Sequence, residues 1–277
     1  MKILNPRNLP ESIINALTPD YERNPDPKRF GVRELIDPPM IRHLRGQHEN
    51  EIEVIAEDYA DILIGQAIHN YMEKFAPANH VTEEKIEVPF KGFTIVGKPD
   101  CYYDIILDDY KYTSVWSYIY GAKKEWEVQL NIYRWLIYKK HGQMILNPRN
   151  IAFFKDWKAR DAEFNSDYPP AKIMIIPTQI WDFEKVEEYI DGRLWAHQEL
   201  IPCTNDEKYH APDTFAVMKK GRKTAMRVLS SEEEAKGWMA SSGGDYIEYR
   251  IGEDKRCKTY CSVNKFCYFY QQTIGAK

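Results

Sequence analysis

The chain has 277 residues, 43% of them hydrophobic, and a formal charge of -4. That is enough apolar material for one large domain, or for one domain with an appendage. No apolar run nears the roughly 18 residues of a membrane span, the first residues lack the apolar stretch of a secretory signal, and the negative balance supplies no general attraction for nucleic acid. The expectation is a cytoplasmic protein with no membrane partner, whose phosphate contacts come from local patches such as "MKKGRK" at 218–223 or "YKK" at 138–140.

Residues 1–50 carry seven prolines and short helical pieces around "ESIINAL" and "PPMIRHLRGQ", which predict an ordered lead-in wrapped on a core. From Glu51 to Phe75 apolar residues recur at helical spacing, predicting one long helix or two joined near Gly65, with His69 in the later part. "EKIEVPF", "FTIVGKPD", "CYYDIIL" and "DDYKYTS" are rich in β-branched and aromatic residues and separated by Gly, Pro or Asp, so they predict a meander of three to four strands. An amphipathic helix over 121–140, strands at 150–157 and 171–177, and a helix over 183–200 follow. This is an α/β order, with a sheet sandwiched by helices. Beyond Pro202 a hairpin turning at Gly221, a serine-capped helix at "SSEEEAKGWMA" and a strand at "DYIEYRI" form a tail too small to bury much apolar surface. The expected organisation is a lead-in over 1–50, a core over 51–202 and a C-terminal region over 203–277.

The stretch "GKPDCYYDIILDDYKYTS" at 97–114 places acids beside strands. On a strand, residues two apart share a face, so Asp109 and Lys111 point one way and Tyr110 the other. A hairpin that brings Asp100 to Asp109 sets two carboxylates together, and their repulsion calls for a cation. Two carboxylates, a backbone carbonyl and water suit Mg²⁺ or Mn²⁺, and a nearby ammonium can then stabilise charge on a phosphate. Taken alone, each piece also has a bland reading. Asp is common at hairpin ends, His69 could pack in a core, Tyr133 could fill space beside Trp135 and Leu136, and Asp108 competes with Asp109. Glu87 is a weaker candidate for an accessory ligand, and Glu73 reads as a helix-surface acid.

Four pieces occur in order over residues 50–140: "GxxxH" (Gly65 to His69), a strand ending in Asp100, "DxK" (Asp109, Lys111) and "QxxxY" (Gln129, Tyr133). In this the sequence resembles the RecB-like branch of the PD-(D/E)XK nuclease superfamily, and the text around "DYKYTSVWSYIYGAKKEWEVQLNIY" is similar to phage-borne relatives found beside recombination genes. The resemblance implies a restriction-endonuclease-like core with a central mixed sheet flanked by helices. It implies that His69, Asp100, Asp109 and the Tyr110 carbonyl hold Mg²⁺ or Mn²⁺, that Lys111 is the catalytic lysine, and that Gln129 and Tyr133 position the DNA strand or the active-site groups.

Cys257, Cys261 and Cys267 crowd into eleven residues, and in a reducing compartment such clusters read as metal ligands. Three thiolates are one short of a tetrahedral or cubane site. Relatives in the RecB-like branch that carry an iron–sulfur cluster have three such C-terminal cysteines, with the fourth drawn from upstream of the nuclease motifs. No cysteine precedes Cys101 here, so Cys203 is the candidate, while Cys101 points away from the metal face by alternation. A 4Fe–4S cluster is expected, with Zn²⁺, on the four cysteines or using His210, as the alternative. The resulting expectation is a metal-dependent DNA exonuclease of phage-type recombination, acting on DNA beside a single-strand annealing or recombination protein, with homo-oligomerisation left open. A CRISPR-adaptation-like spacer-processing nuclease and a catalytically silent DNA-binding subunit are the alternatives.

Overall fold

The computed structural model describes residues 2–17 and 26–275; residues 18–25 of the lead-in lie outside the described residues. They divide into two compact units, one of residues 1–42 and 50–200, the other of residues 43–49 and 201–277.

In the first unit the elements run β1 (Lys2–Leu4), α1 (Glu11–Leu17), β2 (Arg29–Gly31), α2 (Val32–Ile36), α3 (Pro39–Gln47, whose last residues belong to the second unit) and β3 (Glu53–Ile55). Next come α4 (Ala60–Lys74), β4 (Val81–Thr82), β5 (Ile86–Phe90), β6 (Phe93–Gly97), β7 (Cys101–Tyr103) and β8 (Ile106–Thr113). The unit closes with α5 (Trp116–Ile119), α6 (Lys124–His141), β9 (Asn147–Phe154), α7 (Ala159–Phe164), β10 (Ile173–Pro177) and α8 (Phe183–Gln198). Two sheets organise it. A mixed five-stranded sheet has the order β10-β9-β8-β7-β4, with β8 and β9 parallel and its other neighbours antiparallel, and a three-stranded sheet has the order β2-β6-β5. The fold is mixed α/β, with the expected succession of helix, antiparallel strands, helix, strand, strand and helix, and β9 lies parallel to β8.

Two expectations are corrected. Residues 52–55 are not the start of a long helix: β3 pairs in parallel with β1, and helical structure begins with a 3₁₀ turn at Ala56–Tyr59 that leads into α4 at Ala60. Ile52, Val54 and Ala56 are buried in alternation, so a period of two competes with the helical spacing there and the pairing with β1 decides it. The predicted meander is also divided, with the β5–β6 hairpin in one sheet and the β7–β8 hairpin in the other. Between them lies Pro99, which has no N–H to continue a ladder, and the chain changes sheets there. The β5–β6 turn has Lys91 and Gly92 both at positive φ (47° and 82°), the conformation whose twist matches a tight hairpin.

Helix α6 runs through the core. Leu130, Ile132, Trp135, Leu136 and Ile137 are fully buried, together with Val186, Ile190 and Leu194 of α8 and Ile86 and Ile95 of the β5–β6 hairpin. Most charges of α6 stand at its ends, with Lys139, Lys140 and His141 in the last turn before Gly142 in the left-handed conformation, and its one mid-helix charge, Arg134, is buried with Nε donating to the Ile145 carbonyl at 2.9 Å and Nη1 to Asn131 Oδ1 at 3.0 Å. Close approach of α6 to β6 depends on Gly97. A Cβ there would stand 2.4 Å from Leu136 Cδ1 and 3.0 Å from the Tyr133 ring. Gly97→Ala is therefore expected to destabilise the protein by about 1–3 kcal/mol through overpacking, read as a lower urea midpoint at unchanged slope.

The second unit holds α9 (Asn205–Lys208), β11 (His210–Ala211), β12 (Thr214–Met218), β13 (Arg227–Leu229), α10 (Glu232–Ser242), β14 (Tyr246–Arg250) and β15 (Glu253–Asp254). A π-helical turn (Arg256–Tyr260) and α11 (Tyr268–Gly275) follow. The expected hairpin turns with Gly221 at φ 83° and extends to a three-stranded sheet of order β13-β12-β14, while Ser231 caps α10 by accepting from the Glu234 N–H at 3.2 Å. Among the described residues no helix is long and apolar enough to cross a membrane.

Candidate active site and cysteine cluster

The β7–β8 register pairs Cys101 with Asp108, which sets Asp100 opposite Asp109 at the end of the hairpin. The Tyr110 N–H donates to Asp100 Oδ2 at 2.7 Å and fixes that carboxylate. From α4, His69 presents Nδ1 3.2 Å from Asp100 Oδ1 and 3.8 Å from Glu83 Oε1, and its Nε2 lies 3.0 Å from the Tyr110 carbonyl oxygen. Single ligand atoms from His69, Glu83 and Asp100 all lie within 4.8 Å of one another, the one such group of His, Cys, Asp and Glu among the described residues.

On β8 the alternation separates the two competing acids. Asp108 turns to the far face, where Arg149 Nε donates to it at 2.5 Å and Arg149 Nη2 also reaches Tyr103 Oη at 3.0 Å. Cys101 lies on that far face as well, its Sγ 3.5 Å from His80 Nδ1. Asp109 faces the site, 1% exposed and in ion contact with Lys111. Neither of its oxygens has an oriented hydrogen bond. Burial pushes the Asp109 carboxyl up, opposed by the Lys111 charge and reinforced by Asp100.

Lys111 is in turn held by α6. Its Nζ donates to Gln129 Oε1 at 2.9 Å, and Gln129 Nε2 donates to Tyr133 Oη at 3.0 Å, so Gln129 and Tyr133, one helical turn apart, hold the ammonium in place. Tyr133 serves both readings open in the sequence: it is part of the core and the end of this relay. The charge of Arg33, on α2, also reaches Asp109 and Tyr133.

Sequence reasoning missed Glu83. It becomes adjacent to Asp100 only because β4 pairs with β7, with Thr82 opposite Cys101 and the Glu83 N–H bonded to the Asp100 carbonyl at 3.2 Å. Strand β4 is two residues long, too short to announce itself. Glu87 is occupied elsewhere, by Arg29 Nη1 at 2.6 Å and Lys85 at 3.3 Å, and Glu73 is an exposed helix residue. Burial would lower the His69 imidazole, but hydrogen bonds to Asp100 and Glu83 and the charge of Asp109 outweigh it and raise it to about 9. Glu83 goes the other way: burial would raise it, but His69 and Lys98 (Nζ to Oε2, 2.5 Å) hold it low.

The two carboxylates and the imidazole of Asp100, Glu83 and His69 around one point fit a hard divalent cation. The Tyr110 carbonyl lies on the other ring nitrogen of His69, and Asp109, outside that group, is held in ion contact with Lys111.

In the second unit all four predicted cysteines are free and half-buried. Burial, then the charges of Glu207, Cys257, Cys267 and Cys261, push the Cys203 thiol up to about 12; burial and Cys261 raise Cys257 to about 11. Cys203 thus lies near enough to the other three thiols to feel their charge. His210 is engaged by Asp254 at 2.7 Å. Among the described residues, no three of the sulfurs lie within 4.8 Å of one another, whereas a tetrahedron around one zinc sets sulfurs about 3.8 Å apart.

No protein-family model matches the chain, and no curated protein matches it. Among solved structures, the crystal structure of SSO0001 is similar at 16% identity over 71% of this chain and 89% of its own, with a TM-score of 0.48. That of a candidate exonuclease from Eubacterium rectale is similar at 14% identity over 66% of this chain and 71% of its own, with a TM-score of 0.32. Likenesses at these scores carry no argument about what this chain does.

Proposed function

We propose that the chain is a metal-dependent DNA nuclease, an exonuclease of the RecB-like PD-(D/E)XK type with a phage-recombination role. The observation that carries this reading is the convergence, on the interior β7–β8 hairpin, of Asp100 and Asp109 with a lysine that Gln129 and Tyr133 hold in place. His69, Asp100, Asp109 and the Tyr110 carbonyl would hold Mg²⁺ or Mn²⁺, and Glu83 joins them. A divalent cation bound there supplies a water of lowered pKa and neutralises charge on the phosphate. Lys111 would bring its ammonium to a non-bridging phosphate oxygen, where negative charge grows as the water attacks, while the leaving sugar oxygen takes up the electron pair of the broken P–O bond and a proton from water. Gln129 stops the lysine side chain from rotating away, and Tyr133, whose phenol burial keeps protonated, fixes which end of the Gln129 amide faces Lys111. The four cysteines would hold a 4Fe–4S cluster, with Zn²⁺ as the alternative.

The test is digestion of end-labelled linear and circular DNA with Mg²⁺, Mn²⁺ or EDTA. Metal-dependent loss of linear DNA with circles spared supports the reading, and intact linear DNA under every condition refutes it.

A pH dependence follows from His69. Its pKa is raised to about 9, so at neutral pH it carries a proton that must leave before its nitrogen can serve as a ligand. The Mn²⁺ concentration for half-maximal activity should therefore fall as pH rises and level off above about 9. In Glu83→Gln the proton is held less tightly, so the levelling should come at lower pH, while saturation needs more Mn²⁺ because a carboxylate is lost. Titrations of activity against Mn²⁺ at several pH values check both.

A further inference from the structure

Two large aromatic side chains are exposed on the turn that follows β8, the strand of the proposed catalytic lysine. Trp116 is 54% exposed and Tyr120 81%, and their rings stack on each other with centroids 5.4 Å apart and planes 14° from parallel. They lie four residues apart, on the outer face of the short turn that joins β8 to α6.

The inner face of that turn is anchored. Val115 and Ser117 are buried, Tyr118 meets Phe154 edge-on at 6.1 Å, and Asp156 accepts from Ser114 Oγ at 2.5 Å and from the Val115 N–H at 2.8 Å. Gly121, at φ 88°, turns the chain directly after Tyr120. The anchored inner face therefore holds the two rings outward, although burying them would remove apolar surface from water.

The turn also borders the reaction site. The ring of Trp126, at the start of α6, has Lys111 Nζ 6.0 Å from its centroid and Lys123 Nζ at 5.8 Å, so a cation of the turn and the proposed catalytic lysine share one indole. Flat exposed aromatic faces on a turn that also carries the exposed Lys123 suit one ligand chemistry, a strand whose bases are unpaired and whose phosphates follow the lysines.

We propose that Trp116 and Tyr120 form a stacking platform for unpaired bases, which seats a single strand or a frayed DNA end with its backbone running past Lys123 towards Lys111. This rests on the nuclease reading and specifies the form of its substrate: the strand reaches the site unpaired.

The experiment is fluorescence anisotropy of labelled oligothymidine and of a blunt duplex, in EDTA so that nothing is cleaved, with the parent, W116A/Y120A and W116F/Y120F. The alanine variant should bind oligothymidine at least about tenfold more weakly, the loss expected from one unstacked base, the duplex should change far less, and the phenylalanine variant should recover most of the affinity. Unchanged oligothymidine binding by the alanine variant overturns the proposal, as does an equal loss on both DNAs. Unchanged binding together with reduced self-association by light scattering would also overturn it and assign the pair to contact between copies. The nuclease reading fails separately: a parent protein that binds oligothymidine through the platform yet cleaves no DNA with Mg²⁺ or Mn²⁺ refutes that reading and leaves the platform standing.

Discussion

Lys111→Ala is expected to lower DNA hydrolysis by about 10²–10³-fold, chiefly in kcat, because it removes the one ammonium that Gln129 holds at the site. The same change should cost stability in a way that depends on pH. Asp109 is 1% exposed, with Lys111 in ion contact, and removing one partner of a buried pair costs about 3–5 kcal/mol when the other stays charged. Asp109 has an escape, since burial already raises its pKa and a protonated carboxyl needs no cation. A group with a raised folded-state pKa contributes stability below its unfolded pKa, and that contribution is lost as pH rises through the folded value. The melting deficit of the variant should therefore be small near pH 5 and larger near pH 8. The double variant D109N/K111A should lose the deficit and remain inactive, which separates the role in the reaction from the role in folding. A Lys111→Ala protein that cleaves like the parent would remove Lys111 from the site.

Much of this site is legible in the sequence because its parts are local. The two-residue spacing puts Asp109 and Lys111 on one face of β8 and sends Asp108 to Arg149 on the other, and the four-residue spacing stacks Gln129 on Tyr133. Asp100 is legible too, since a hairpin between two strand-length runs must bring its ends together. What the sequence does not carry is pairing between distant segments. Glu83 reaches His69 through a two-residue strand, residues 53–55 are a strand because β1 supplies the partner, and the break at Pro99 sends one hairpin to each sheet. Each is settled by long-range hydrogen bonding that no local period records. Trp116 and Tyr120 show the converse limit. Their spacing is plain in the sequence, but whether an aromatic pair faces a core or water depends on what packs beneath the turn, here Phe154 and Asp156.

The second large effect is expected at the cysteines. In the second unit the buried apolar residues include Ala216, Val217, Met218, Ala235 and Val263, a small core for a segment of this length. Small units of this kind need a staple, and a bound structural metal contributes on the order of 10–16 kcal/mol in the best-measured zinc cases. Without a metal the Cys203 and Cys257 thiols sit at about 12 and 11, so loading must displace protons and acid should favour release. Cys261→Ser should abolish the visible colour and bound iron of anaerobically purified protein and make residues 201–277 sensitive to limited proteolysis. Cys101→Ser is the control, because its sulfur lies by His80 on the far face of β7 and takes no part in the set, so its metal content should match the parent's. Bound zinc in place of iron would show that the sulfurs close in from the spacing seen here, and a Cys261→Ser protein with parental metal content and unchanged proteolysis would remove that cysteine from the ligand set.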